Sequence, residues 1–446
     1  MQESDSCASP GAAASPGPPA SPGSPASPGC PASPEPSPSP EPPGPLAPPA
    51  FPAAERGLPV PAELRERFAE AASRTGPEPV GGGPELRAAA CGYWARRGPG
   101  ADPDRSDVLA APGAQPLLLA LLASAGGEVL LTRPCAAWYA PLARLAGRLA
   151  YHVPVTAEAG GVPDPVALLE TVRRIRAEGG RPRFLVLSVA DDTTGTVAPP
   201  ELVHEVCEAA AGEDLTVVSD ETWRDVRHDP HATVFVGPAE MYPERVVVLT
   251  ELAGTLLPAA WPAAFALFPR SGPGPVLRAR VASVLDALRA ELAPPVAVAA
   301  RWALTEPPPV REHTATAARL YGRMSAAVLE RITAAGALAR PPQAGPHLYA
   351  DLGELRTGLA RRGVTDSVEL EAHLGAVLGH PVPGGHRFGD DPDALRVRLS
   401  ALPFLGTGDE PRQRALDSPD PPALPEVAEA LAGLEAAFRA LAGTGR

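Results

Sequence analysis

The chain has 446 residues, a net charge of −13, 60 prolines, 43 glycines and five cysteines, and it contains no lysine and no asparagine. That acidic balance excludes the clustered Arg and Lys of a nucleic-acid surface. No apolar run approaches the length of a membrane span, and the acidic start MQESDS is the opposite of a basic signal-peptide start.

Residues 1–54 are almost wholly Pro, Ser, Ala and Gly, and a hexad recurs as SPGPPA, SPGSPA and SPGCPA. Too few apolar side chains are present to offset the entropy of ordering this backbone. Glycine does not fall at every third position, so a collagen helix is excluded. A disordered, polyproline-II-biased tail is expected. Of the cysteines, Cys7 and Cys30 lie in the tail, and Cys91, Cys135 and Cys207 show no paired spacing. Free thiols and a cytoplasmic location are the expectation.

Residues 55–80, with the acidic helical segment PAELRERFAEAAS, are expected to pack on a smaller domain. From 81 to 272, short β-type runs alternate with helical patterns. The predicted strands are Asp107–Ala111, Glu128–Thr132, Leu149–Val155, Phe184–Val189, Leu215–Ser219, Arg245–Thr250 and Ala264–Phe268. Helical patterns fall at Ala114–Ser124, Trp138–Arg148, Pro165–Glu178 and Pro200–Glu213. Continuous Val/Leu strands between amphipathic helices predict a large α/β domain with a doubly wound, mostly parallel sheet. Residues 273–446 change character, with long helices at Pro275–Glu291 and Arg311–Ala335. A small α+β region then runs from Gly345 to Leu405, and the last helix is Leu424–Leu441.

An ordered set of motifs runs through this folded part. GGGPELRAAACGYWARRG (Gly81–Gly98) is followed by VLAAPGAQPLLLALL, GGEVLLTRPCAAWYAPLARLAG and FLVLSVADDTTGTV. LTVVSDETW, VVVLTELAGTLLPAAWPAAFALFP, HLYADL and PVPGGHRFGDDPDALRVRLSA complete the series. Together they resemble the class I/II aminotransferases of the fold type I group, in order and over nearly all of the chain beyond Pro59. The resemblance implies pyridoxal phosphate, an electron sink that the protein orients and tunes. It also implies a lysine that forms the Schiff base and moves the substrate's α-proton.

Carried over residue by residue, the resemblance gives a mixed result. Asp220, ending an apolar strand, matches the aspartate that pairs with the cofactor's ring nitrogen, and strand ends are where open sheets bind ligands. Gly113, Ala114 and Gln115 match the phosphate turn, where backbone N–H groups at a helix start favour an anion. An ordinary strand-to-helix turn would read the same. Gly195 keeps the loop glycine, and Arg398 matches the arginine that grips a substrate carboxylate, although Arg396 suits a generic edge-strand arginine equally well.

The departures cluster at the cofactor. The Schiff-base lysine position is Ala253, and its neighbours Glu251, Leu252, Gly254 and Thr255 are no substitutes. Leu252 stands for a serine and Trp261 for the phosphate-binding arginine. Asp192 stands where an asparagine normally donates to the cofactor, and a carboxylate only accepts. Trp223 replaces a tyrosine, and Ala136 the stacking aromatic, with Trp138 and Tyr139 as imperfect substitutes. Pressure toward GC-rich codons explains arginine in place of lysine on a surface, but it supplies no replacement for a catalytic lysine. HDPH (His228 to His231) is no zinc spacing, and His347 and His386 read as structural or surface residues.

The sequence therefore predicts an aminotransferase-like pseudoenzyme or repurposed member without lysine-dependent transamination. It would be a homodimer, or a partner subunit in a heterodimer with an active aminotransferase. The cofactor is either not covalently held or not used. Two alternatives remain open. One is a pyridoxal-phosphate-dependent aminotransferase that holds its cofactor non-covalently and acts on a small amino or keto acid. The other is a lysine-independent enzyme using Asp220, Asp192, Arg398 and His386 in the old cleft.

Overall fold

The computed structural model describes residues 57–97, 103–156 and 158–442. The expected disordered tail therefore lies outside the described residues. Among the described residues, ten strands are arranged in two sheets. The larger has seven, in the order β1-β7-β6-β5-β4-β2-β3. They are β1 (Val108–Ala111), β2 (Glu128–Arg133), β3 (Ala150–Pro154), β4 (Pro182–Ser188), β5 (Thr216–Asp220), β6 (Val246–Glu251) and β7 (Ala264–Leu267). All pairings are parallel except those of β7, which runs antiparallel to both β1 and β6. This is the predicted mostly parallel sheet, and each predicted strand lies within about two residues of its observed bounds.

The continuous apolar runs are explained by burial on both sheet faces. Val246 and Val248 belong to one core cluster while Val247 and Leu249 belong to the other. The same alternation places Leu185 and Leu187 on one face and Val186 on the other.

Helices cover the sheet. They are α1 (Ala62–Ala71), α2 (Pro84–Ala95), α3 (Ala114–Ser124), α4 (Tyr139–Leu145), α5 (Pro165–Ala177), α6 (Pro200–Gly212), α7 (Pro238–Met241), α8 (Gly274–Ala287) and α9 (Pro294–Leu304). α3 is apolar nearly all round, and Leu117, Leu118, Leu121 and Leu122 are fully buried, so it lies inside rather than on the surface. α1 packs on α9, and Phe68 stacks on Trp261 with ring centroids 4.1 Å apart. The N-terminal segment thus packs on α9 and, through Phe68, on Trp261. It meets the small region through Gly57, whose carbonyl accepts from Arg412 at 2.9 Å.

The C-terminal region holds α10 (Pro308–Ala334), α11 (Arg356–Ala360), α12 (Ser367–Leu378), α13 (Asp409–Asp417) and α14 (Pro425–Leu441). They surround an antiparallel sheet of β8 (Leu338–Ala339), β9 (His347–Asp351) and β10 (Arg396–Ser400). Leu348, Ala350, Val397 and Leu399 are buried, so the alternate residues Tyr349, Arg396 and Arg398 lie on the opposite face.

Candidate functional site

Several chemistry-bearing residues gather at the C-terminal ends of β4, β5 and β6, where an open α/β sheet offers its crevice. Asp220 ends β5 and is buried. Its Oδ2 accepts from the Tyr139 hydroxyl at 2.7 Å, and its Oδ1 accepts from Thr222 twice, through N at 3.1 Å and Oγ1 at 2.6 Å. Burial raises its pKa above the ordinary aspartate value, and the Thr222 and Tyr139 hydrogen bonds pull the other way.

Asp192 lies in the loop after β4. Its Oδ2 accepts from Arg398 Nη1 at 2.8 Å, its Oδ1 accepts from the Trp223 indole at 2.9 Å, and His347 Nδ1 stands 3.4 Å away. Burial opposes its charge, but Arg398, His347 and Trp223 together outweigh it and hold the carboxyl well below the usual range. Neighbouring Asp191 has no such cation. Burial pushes it up to about 6, against hydrogen bonds from Thr194.

The third group is at the start of α3. Gly113 has φ +108°, a conformation L side chains avoid, and its main chain delivers the Ala114 N–H to Glu251 Oε2 at 2.7 Å. The other oxygen of Glu251 accepts from Leu252 N at 3.1 Å and Ala253 N at 3.0 Å. Burial pushes Glu251 up to about 7, against these backbone donors. The Thr222 hydroxyl links the two acids, donating to Asp220 and accepting from the Glu251 backbone N at 3.1 Å.

Of the residues singled out from sequence, Asp220, Asp192, Trp223 and Arg398 come together, and Gly113 and Ala114 meet Glu251. Gln115 is exposed beside them. Ala253 lies in the turn after β6, bridged to Leu257. Arg396 pairs with Asp351 and Asp390, so Arg398 is the arginine that reaches the crevice. His386 is drawn to Ser367 and Glu371 of α12 instead. The His228 ring bonds the Pro342 and Gly345 carbonyls, and no metal-binding cluster occurs among the described residues. The thiols of Cys91, Cys135 and Cys207 are buried and form no disulfide. Sequence reading missed the role of Glu251, noting it only as unable to replace a lysine. Tyr139, one of two imperfect substitutes for the stacking aromatic, gives its hydroxyl to Asp220 and meets Trp138 edge-on.

Residues 52–368 match the profile described as aminotransferase class I and II. The chain belongs to the class I and II aminotransferase family. A probable aspartate/prephenate aminotransferase of Thermus aquaticus is 28% identical over 226 residues, which span 50% of this chain and 57% of that one. The chain thus covers little more than half of that relative. The aspartate/prephenate aminotransferase of Thermus thermophilus is 28% identical over 310 residues, 68% of this chain and 76% of that one. Among solved structures, a Thermus thermophilus aspartate aminotransferase superposes with a TM-score of 0.68 at 24% identity, covering 82% of this chain and 89% of that one. An N-succinyldiaminopimelate aminotransferase of Mycobacterium tuberculosis gives 0.66 at 24% identity, over 82% and 90%. At such identity these two establish the fold alone.

Family membership implies pyridoxal phosphate, and the residues present do not fit it. No lysine amine exists anywhere in the chain to form the Schiff base. The helix start that would receive the phosphate already holds the Glu251 carboxylate. Asp192, which the resemblance sets at a donor's position, is an acceptor and is itself tied to Arg398. Among the described residues, no helix is long and apolar enough to cross a membrane.

Proposed function

We propose that this aminotransferase-like protein does not transaminate and persists as a pseudoenzyme on the family scaffold. The observation that carries the reading is a chain with no lysine, in which the resemblance sets Ala253 at the Schiff-base position. A lysine amine does two jobs in this chemistry, holding the cofactor and moving a proton, and no arginine does either because its guanidinium stays protonated.

The polar groups left in the crevice support the same reading. Arg398, the candidate for gripping a substrate carboxylate, is occupied by Asp192 at 2.8 Å. A substrate would have to break that partly buried pair before it could bind. The same pairing speaks against a lysine-independent enzyme, because two of its proposed working groups satisfy each other. Asp220 likewise finds partners for both oxygens inside the chain.

Incubating the purified protein with pyridoxal phosphate and then dialysing tests the proposal. We expect no stoichiometric visible absorbance to remain and no turnover of amino donors. Retained absorbance with turnover would overthrow it. Because family dimers build active sites between subunits, a pull-down from the native source then separates two forms of the pseudoenzyme. Co-purification with a lysine-bearing homologue makes it a partner subunit, and self-association alone makes it a homodimer.

A further inference from the structure

The turn after β6 and the start of α3 together form a small cradle of backbone donors. Ala114 N–H comes from the first turn of the helix, and Leu252 and Ala253 N–H come from the turn. Converging amides at a helix N-terminus favour an anion through both their partial charges and the helix dipole. Gly113 closes the cradle on one side. A Cβ built there would stand 3.3 Å from Glu251 Oε2 and 3.1 Å from the Gln115 side-chain oxygen.

The cradle's occupant is part of the chain. Glu251 is the last residue of β6, so the strand delivers its carboxylate directly to the helix start. Oε2 takes the Ala114 donor, and Oε1 takes both donors from the turn. No side-chain cation pairs with Glu251 among the described residues. Trp261, which the resemblance sets at a phosphate-binding arginine, is stacked on Phe68 instead. A helix N-terminus without a side-chain cap of its own has thus received one from a distant strand.

We propose that Glu251 is a built-in anion that fills the cradle at the start of α3 and shuts out phosphate-bearing ligands. An external phosphate has to accept from the same N–H groups. It therefore meets both a steric block and a like charge within a few ångströms, and among the described residues no arginine pairs with Glu251 to offset either. This goes beyond the missing lysine and is independent of it. A chain with a restored lysine would still carry the plug, and a chain without the plug would still lack the lysine.

Titration calorimetry with inorganic phosphate, at a pH above 7, tests this on the full chain. The wild type is expected to bind phosphate roughly tenfold or more weakly than E251A, in which the three donors are freed. E251Q keeps the shape of the block and is expected to stay near the wild type. Pyridoxal phosphate and pyridoxal should bind the wild type alike, while E251A should prefer the phosphorylated form. Equal phosphate affinity in wild type and E251A overturns the proposal. Circular dichroism checks the fold, and if E251A does not fold, E251D carries the same comparison by withdrawing the carboxylate from Ala114. These readouts are of phosphate binding alone, so equal affinities would overturn the plug and leave the pseudoenzyme reading standing on the missing lysine.

Discussion

Arg398 of the small sheet donates to Asp192, in the loop after β4 of the large sheet, at 2.8 Å, joining residues 206 apart in sequence. Period-two alternation on β10 explains why it is this arginine. Val397 and Leu399 turn into the hydrophobic core, which leaves Arg398 on the face toward Asp192. The Asp192 side chain keeps 24% of its exposure and Arg398 14%, so the pair is partly desolvated.

R398A is expected to cost about 3 kcal/mol, the lower part of the range for orphaning one member of a buried pair. The pH dependence should change with it. Asp192 has its folded pKa depressed, so its contribution is present above the ordinary carboxylate value and is lost as pH falls below about 4. Urea unfolding at pH 3 to 7 should therefore show a steep acid limb in the wild type and a flatter one in R398A. Identical slopes would mean the ion pair contributes nothing.

Tyr139 and Asp220 give a second test, since their hydrogen bond is buried and links residues 81 apart. Y139F removes only the hydroxyl, and Oδ2 of Asp220 loses its donor. The expected loss is about 1–2 kcal/mol, as for a hydrogen bond to a charged or partly charged group. Asp220 should then titrate still higher, because one of the bonds opposing its burial is gone. Equilibrium unfolding measures the first effect and NMR titration of the carboxyl the second. An unchanged midpoint would show that the contact has no energetic weight.

These contacts mark the limit of what the sequence could disclose. Strands such as Val246–Glu251 were legible because an unbroken Val run has few other uses, and α3 because its apolar surface is continuous. Asp220 stood out at the end of such a strand. Glu251 ends its strand in the same way, yet its partner at Ala114 is 137 residues distant, and no local pattern announces it. Tyr139 was ambiguous for a related reason: a sequence shows that an aromatic is near, but not whether its ring or its hydroxyl makes the contact. The family resemblance supplied long-range placement for residues that match its motifs and none for residues that depart from them.

Glu251 has a pH signature that separates it from the other acids. Its folded pKa is raised to about 7 against 4.5 for an ordinary glutamate. The stability linked to its proton is therefore fully present below about 4.5 and is lost as pH rises through about 7. E251Q carries no such proton, so the stability difference between wild type and E251Q should move against the wild type by roughly 2–4 kcal/mol across that window. Taking the difference cancels the other groups. Asp191 drifts in the same direction and His228 in the opposite one, and both are present in each protein. A difference that stays flat from pH 4.5 to 8 would show that Glu251 is ionised throughout.

Restoring the lysine alone should not restore cofactor binding. A253K places an amine in the turn after β6, but that same turn donates its Leu252 and Ala253 N–H groups to Glu251. The new ammonium would sit two residues from a buried carboxylate and would pair with it, which lowers its nucleophilicity by holding the proton on. Dialysis after loading with pyridoxal phosphate should leave A253K without stoichiometric visible absorbance. A253K/E251S removes both the competing charge and the plug, and it should retain measurably more cofactor than either single variant. If A253K by itself retains a full equivalent, the lysine was the only thing missing, and neither the Glu251 carboxylate nor Asp192 stands in the way.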